Sequence, residues 1–238
     1  MDHRLDPRIA VARARGLEID EGLRSYMLSV YNYMALALAI TGLTAWVTAS
    51  STAMVQLLFG TPLAWVVMLA PLGFVFFLSA RIHALSPTAA QVTFWLFAVV
   101  MGLSMASIFL AFAGTSIARV FFITAATFGA MSLYGYTTKR DLSAWGSFLF
   151  MGLIGIVIAS LVNLFVGSTM LQFVVSIVGV LVFTGLTAYD TQAIKEEYYE
   201  YDAPEVATRK AIMGALRLYL DFINLFMMLL QLLGQRRD

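Results

Sequence analysis

Four stretches of the chain, residues 25–80, 82–118, 120–138 and 142–189, contain no Asp, Glu, Lys or Arg. Together they cover 160 of the 238 residues, and a further apolar run follows at 222–235. A helix that crosses a bilayer needs about 20 mainly apolar residues, with its backbone groups satisfied internally where water cannot reach. Stretches of this length predict an all-α, polytopic membrane protein. Composition agrees, with 61% hydrophobic and 12% charged residues against roughly 45–50% and about 25% in soluble domains. A soluble enzyme is thereby excluded. So is a nucleic-acid binder, because a net charge of +1 offers no basic stripe for phosphates. The chain has no cysteine, which removes disulfides, thiolate catalysis and iron–sulfur ligation.

The pattern divides into seven expected spans at about 27–49, 54–80, 90–113, 117–137, 144–166, 169–190 and 211–233. Ser50, Ser51 and Thr52 break the first long gap, and Gly167 with Ser168 breaks the last. This leaves a polar N-terminal segment over 1–26, one transmembrane domain over 27–233 and a short tail over 234–238. The first segment mixes five Arg with five acids, unlike a cleaved signal peptide, so the first span is expected to act as an uncleaved anchor. On a seven-span layout the N-terminal side collects 11 Lys and Arg and the opposite side three, Arg217 set aside. By the positive-inside rule the N-terminus is then cytoplasmic and the C-terminus outside. Trp46, Trp65, Trp95 and Trp145 each fall near an expected span end, where amphipathic rings favour the headgroup level. Gly102 with Ala106, and Gly155 with Ala159, are small-residue pairs that would let helices approach closely.

Against this apolar background Asp221 stands out. It sits about ten residues, or roughly 15 Å, into the last span, where a charge needs a partner or a watery cavity. It is either a protonated packing contact or a functional group. Arg81 and Asp190 end the second and sixth spans on the same side of the bilayer, so three helices bring ionisable groups toward one level. Two carboxylates in contact would share a proton, and an arginine beside them would respond to its loss, which makes a proton-sensitive latch. Pro71 gives the second span a place to bend. Other readings stay open: Arg81 as a snorkelling anchor, Asp190 as a solvated helix end. Arg217, four residues before Asp221, could pair with it along one helix face, and if it did the aspartate coupling would be weaker. Two carboxylates suit transient occupancy by a hard cation such as calcium better than a tight site. Glu196, Glu197, Glu200, Asp202 and Glu205 could raise the local cation concentration at a cytoplasmic mouth, but read first as a solvated loop. His3 and His83 form no metal-ligand pattern, and there is no P-loop, dinucleotide fingerprint or nucleophile elbow. No resident cofactor is expected.

Three strings, YGYTTKRDLS at 134–143, GLTAYDTQ at 185–192 and LYLDFINLF at 218–226, resemble the Bax inhibitor family, closest to its bacterial branch. The resemblance covers nearly the whole chain from the first span onward. It implies seven helices with the last surrounded by the other six, and a pH-sensitive calcium leak channel in which calcium is the transported ion. It further implies that Asp190 and Asp221 form the proton sensor and line the ion pathway, and that Arg81 is the latch of the closed state. Close bacterial relatives tend to carry a small hydroxyl residue where this chain has Arg217, so Arg217 is expected to modulate the pH of gating. The bacterial branch implies an inner-membrane location.

Three rivals remain. An intramembrane aspartyl protease matches Tyr189 and Asp190, but Asp221 lacks a glycine-bracketed approach and no Pro-Ala-Leu string follows. A retinal protein needs a Lys inside a span, and none of the seven expected spans has one. A non-transporting regulator that binds a membrane-anchored protease, as some bacterial family members do, is compatible with every residue above.

Overall fold

The computed structural model describes residues 7–237, with side chains from Glu21 onward; His3, Arg4 and the side chains of Arg8, Arg13 and Arg15 lie outside the described residues. Among the described residues eight helices follow one another: α1 (Pro7–Ser50), α2 (Thr52–Phe59), α3 (Leu63–Arg81), α4 (Pro87–Ala111), α5 (Gly114–Thr137), α6 (Ser143–Val166), α7 (Thr169–Glu196) and α8 (Pro204–Leu233). Seven of them are long and apolar enough to cross a membrane, α1 from Glu21 and α3 to α8 in full. The chain is therefore an all-α, multi-pass membrane protein.

The connections are as short as the sequence indicates, and each has a local cause. Ser51 caps α2 by accepting from Met54 N–H. Gly167 ends α6 at a positive φ of 64°, a conformation cheap only for glycine, and Ser168 then caps α7 by accepting from Leu171 N–H. The second span departs from expectation. The stretch read as one helix over 54–80 is two, because Gly60, Thr61 and Pro62 interrupt it. Thr61 Oγ1 donates to the Leu57 carbonyl and accepts from Leu63 N–H, stapling the break from both sides. Hydropathy is blind to this interruption, since all three residues are uncharged. Pro71, by contrast, lies within an unbroken α3.

The last two helices are longer than the expected spans: α7 continues to Glu196 and α8 starts at Pro204. Asp190 is thus inside α7 rather than at its end. The polar segment before the first span is also helical from Pro7 and runs directly into it.

The core is built around α8, in which just over half of the most apolar stretch is buried, against a third or less in every other span. Helices α1, α3, α4, α5 and α7 pack on it. The exception is α6, which packs along α7 and meets α8 only across a cavity. Two hydroxyl chains join the helices, the first reaching the centre and the second linking three helices of the ring. Tyr219, fully buried on α8, donates to Thr41 on α1 at 2.7 Å, and Thr41 donates on to the Ala98 carbonyl on α4. Tyr31 on α1 donates to Ser132 on α5, which bonds Thr191 on α7 at 3.0 Å. Gly102 confirms one of the small-residue pairs: a Cβ there would press on Thr44 Cβ at 2.6 Å, where α4 meets α1. Gly155 does not, having nothing within 4 Å. Trp46, Trp65 and Trp145 are exposed near helix ends, but Trp95 lies eight residues into α4 and packs its ring 5.6 Å from that of Tyr33.

At the far end of α8 the chain turns back onto the α4–α5 connection. Ala113 N–H donates to the Gln235 carbonyl, Arg237 N–H to the Ala111 carbonyl, and the Arg237 guanidinium to the Phe109 carbonyl, each at 3.0 Å. Gln235 N–H adds a bond to Ser116 Oγ at 2.9 Å.

Candidate functional site

Helices α7 and α8 run antiparallel with a register fixed by matched residues along their length. Ser176 donates to Gln231 at 2.8 Å; Gly179 leaves room for Met228; Gly214 leaves room for Ile194. That register carries Asp190 opposite Asp221, and their carboxyl groups meet in hydrogen-bond contact. Asp221 is buried, 5% exposed, and its Oδ2 makes no hydrogen bond. A buried carboxyl oxygen without a partner is costly, so the position is kept for a proton, a cation or water.

The space beside this pair is a cavity of about 510 Å³. Gly146, Ser147 and Phe150 of α6 form one wall, Tyr189 and Asp190 of α7 another, and Arg217, Asp221 and Asn224 of α8 the third. Gly146 is required here: a Cβ would lie 2.6 Å from the Tyr189 ring, which holds that ring against α6. Asn224 gives its amide N–H to the Leu220 carbonyl at 2.8 Å, which leaves its amide oxygen free to accept. The cavity thus offers oxygen donors from two carboxylates and one amide, the kind of set a hard cation takes.

Arg217 lines the same cavity but is held from outside it. Its Nη1 donates to Glu197 Oε1 at 2.6 Å, and Asp190 is within its electrostatic reach. Of the readings left open for Arg217, the structure shows pairing with Glu197 rather than with Asp221, and Glu197 is thereby engaged rather than simply solvated. Because α7 continues past Asp190, Glu197 arrives level with Arg217. Tyr26 of α1, its hydroxyl buried and unpartnered, is within electrostatic reach of the ion pair. Asp202 is likewise paired, with Lys210 at 2.6 Å, which pins the 197–203 loop to the start of α8.

Arg81 is not brought to the pair. It is exposed at the end of α3 and makes no side-chain hydrogen bond or ion pair among the described residues. The geometry therefore joins Asp190, Asp221 and Arg217, adds Asn224, Glu197 and Tyr26, and leaves Arg81 apart. The signal for Asn224 was present as a polar group inside an apolar run, where a polar group needs a reason to be; Tyr26, at the border of the polar N-terminal segment, gave no such signal.

The sequence profile described as "Inhibitor of apoptosis-promoting Bax1" matches residues 23–238. The chain belongs to the Bax inhibitor family. Among relatives in the Bax inhibitor family, a Rickettsia prowazekii chain named "Uncharacterized protein RP147" is 52% identical over 219 residues, 92% of this chain and 93% of that one. "Inner membrane protein YbhL" of Escherichia coli strain K12 is 48% identical, over 91% of this chain and 94% of its own. A Streptococcus pyogenes relative, "Uncharacterized membrane protein SpyM3_0260", is 34% identical over 91% and 95% of the two chains.

Proposed function

We propose that this Bax inhibitor family protein is a pH-sensitive calcium leak channel of the bacterial inner membrane, with its N-terminus cytoplasmic and its C-terminus outside. The observation that carries the reading is the contact between Asp190 and Asp221 beside a cavity of about 510 Å³, with Asp221 Oδ2 unpartnered. Two touching carboxylates inside a bundle cannot both ionise without a cation, so proton and calcium compete for one place. At low pH the shared proton holds α7 and α8 together. At higher pH its loss leaves charge that either draws in a cation or pushes the helices apart. Arg81 closes the path when the end of α3 swings inward, and Arg217 sets the pH at which this happens. The orientation is supported by the Lys and Arg asymmetry, and the membrane by the name of the Escherichia coli relative.

The test is calcium flux into liposomes holding the purified protein at mildly acidic and mildly alkaline pH. The parent is expected to conduct with a pH dependence that both Asp190→Asn and Asp221→Asn abolish, and Arg81→Ala is expected to leak at both values. A folded parent that conducts no more than empty liposomes overturns the channel, and copurification with a membrane-anchored protease then makes the regulator the reading to pursue.

A further inference from the structure

Helices α1 and α5 both pack on α8 but not along one another, and a groove of about 930 Å³ opens between them, within the roughly 300–1,000 Å³ of ligand sites. Its floor is Phe222 of α8, the residue after Asp221. Along α1 it runs from Arg24 to Gly42, eighteen residues or about 27 Å, close to the hydrocarbon thickness of a bilayer. A second cavity of about 290 Å³ continues it, sharing Leu38, Gly42, Phe121 and Phe222.

We propose that this groove is a binding site for one anionic glycerophospholipid, an acyl chain lying between α1 and α5 and the phosphate held at the Arg24 end. Charge complementarity selects the occupant. Arg24 lines that mouth, is exposed and has no ion-pair partner among the described residues. Lys139 is exposed two residues beyond the end of α5, at the same end of the groove as Tyr136. Lys195 backs the wall, its ammonium donating to the Tyr136 carbonyl at 2.8 Å and lying 5.3 Å from that ring. Among the described residues, the acids beside this mouth are Glu21, one turn before Arg24, and Asp141, which accepts from Ser143 N–H, while Glu197 farther in is taken up by Arg217. Such a cationic mouth above an apolar trough matches a phosphodiester above an acyl chain.

One hydrogen bond, from Tyr31 to Ser132 at 3.1 Å, joins the two walls of the trough, and beyond it the trough is kept clear. Gly42 and Gly129 line it from inside α1 and α5, and a Cβ at either would meet nothing within 4 Å. Glycine is among the costliest residues in a helix interior, and no protein atom needs the space these two leave. A chain of methylenes does. The inference is independent of ion conduction, and its test reads lipid rather than flux.

The full chain is reconstituted in vesicles of equal phosphatidylcholine and phosphatidylglycerol, extracted gently, and weighed intact by native mass spectrometry. The parent is expected to retain one phosphatidylglycerol. Gly129→Leu, which fills the trough, is expected to lose it, and Gly42→Leu provides the same reading should the first variant not fold. The Arg24→Gln, Lys139→Gln double variant is expected to keep a lipid but lose preference for the anionic one, by about fivefold per cation removed. A parent without bound lipid, a folded filled-groove variant that keeps its lipid, or a double variant that still prefers phosphatidylglycerol overturns the proposal.

Discussion

Arg217 has two claims on its charge. Glu197 holds it by a bond of 2.6 Å on one side, and Asp190 lies within electrostatic reach on the other. Removing the first claim strengthens the second: Glu197→Gln frees the guanidinium to favour the ionised aspartate pair. Gating is then expected at a lower pH, and Arg217→Ser, which removes the cation altogether, is expected to gate at a higher one. A shift of about one pH unit each way is the scale for a carboxylate beside an arginine. Calcium flux against pH measures both, and unmoved midpoints would assign the ion pair to packing alone. Outside the membrane, Asp141 offers a simpler titration. Its hydrogen bonds with Ser143 hold its carboxyl below the usual carboxylate range. A carboxyl so lowered contributes above its ordinary value and loses the contribution as pH falls through the lowered one. Between about pH 5 and about pH 2, the protection of the Ser143 amide, taken as its exchange rate relative to an unstructured amide at the same pH, is expected to fall, and Asp141→Asn should flatten that change.

At the scale of helices, the closest approach on the α1–α4 seam is at Gly102, where α4 meets Thr41 and Thr44. Gly102→Leu forces the helices apart and is expected to cost about 1–3 kcal/mol, read as a lowered melting temperature in detergent. The same substitution at Gly155, where a Cβ meets nothing, is expected to leave stability nearly unchanged. From sequence the two positions look alike, because spacing by four records which residues share a helix face but not which face meets a neighbour. The same distinction separates what was legible from what was not. The spans were legible because charge is expelled from hydrocarbon wherever a helix crosses it. The Gly60–Pro62 break was not, because three uncharged residues barely change hydropathy while changing backbone geometry completely. Asp190 and Asp221 stood out as carboxylates in apolar surroundings. Glu197 did not, since its pairing depends on α7 reaching Glu196, and helix ends are set by loop contacts such as Lys210 with Asp202.

For the molecule as a whole, the proposed seven-span layout puts the two chain ends on opposite sides of the bilayer. The chain has no cysteine of its own, so single introduced thiols report on one site each. Glu200→Cys, exposed in the 197–203 loop, is expected to react with a membrane-impermeant thiol reagent only after cells are opened; Thr115→Cys, exposed at the start of α5, should react in intact cells. The reverse pattern would invert the orientation. The tail beyond α8 adds a mechanical consequence. Main-chain bonds to Ala111 and Ala113 fasten that end of the central helix; Arg209, donating to the Leu85 carbonyl at 3.1 Å, and Lys210, held to Asp202 at 2.6 Å, fasten the other. Tyr219 ties its middle to Thr41 at 2.7 Å. On the proposed gating the central helix is then a fixed post, and the helices around it are the parts that move.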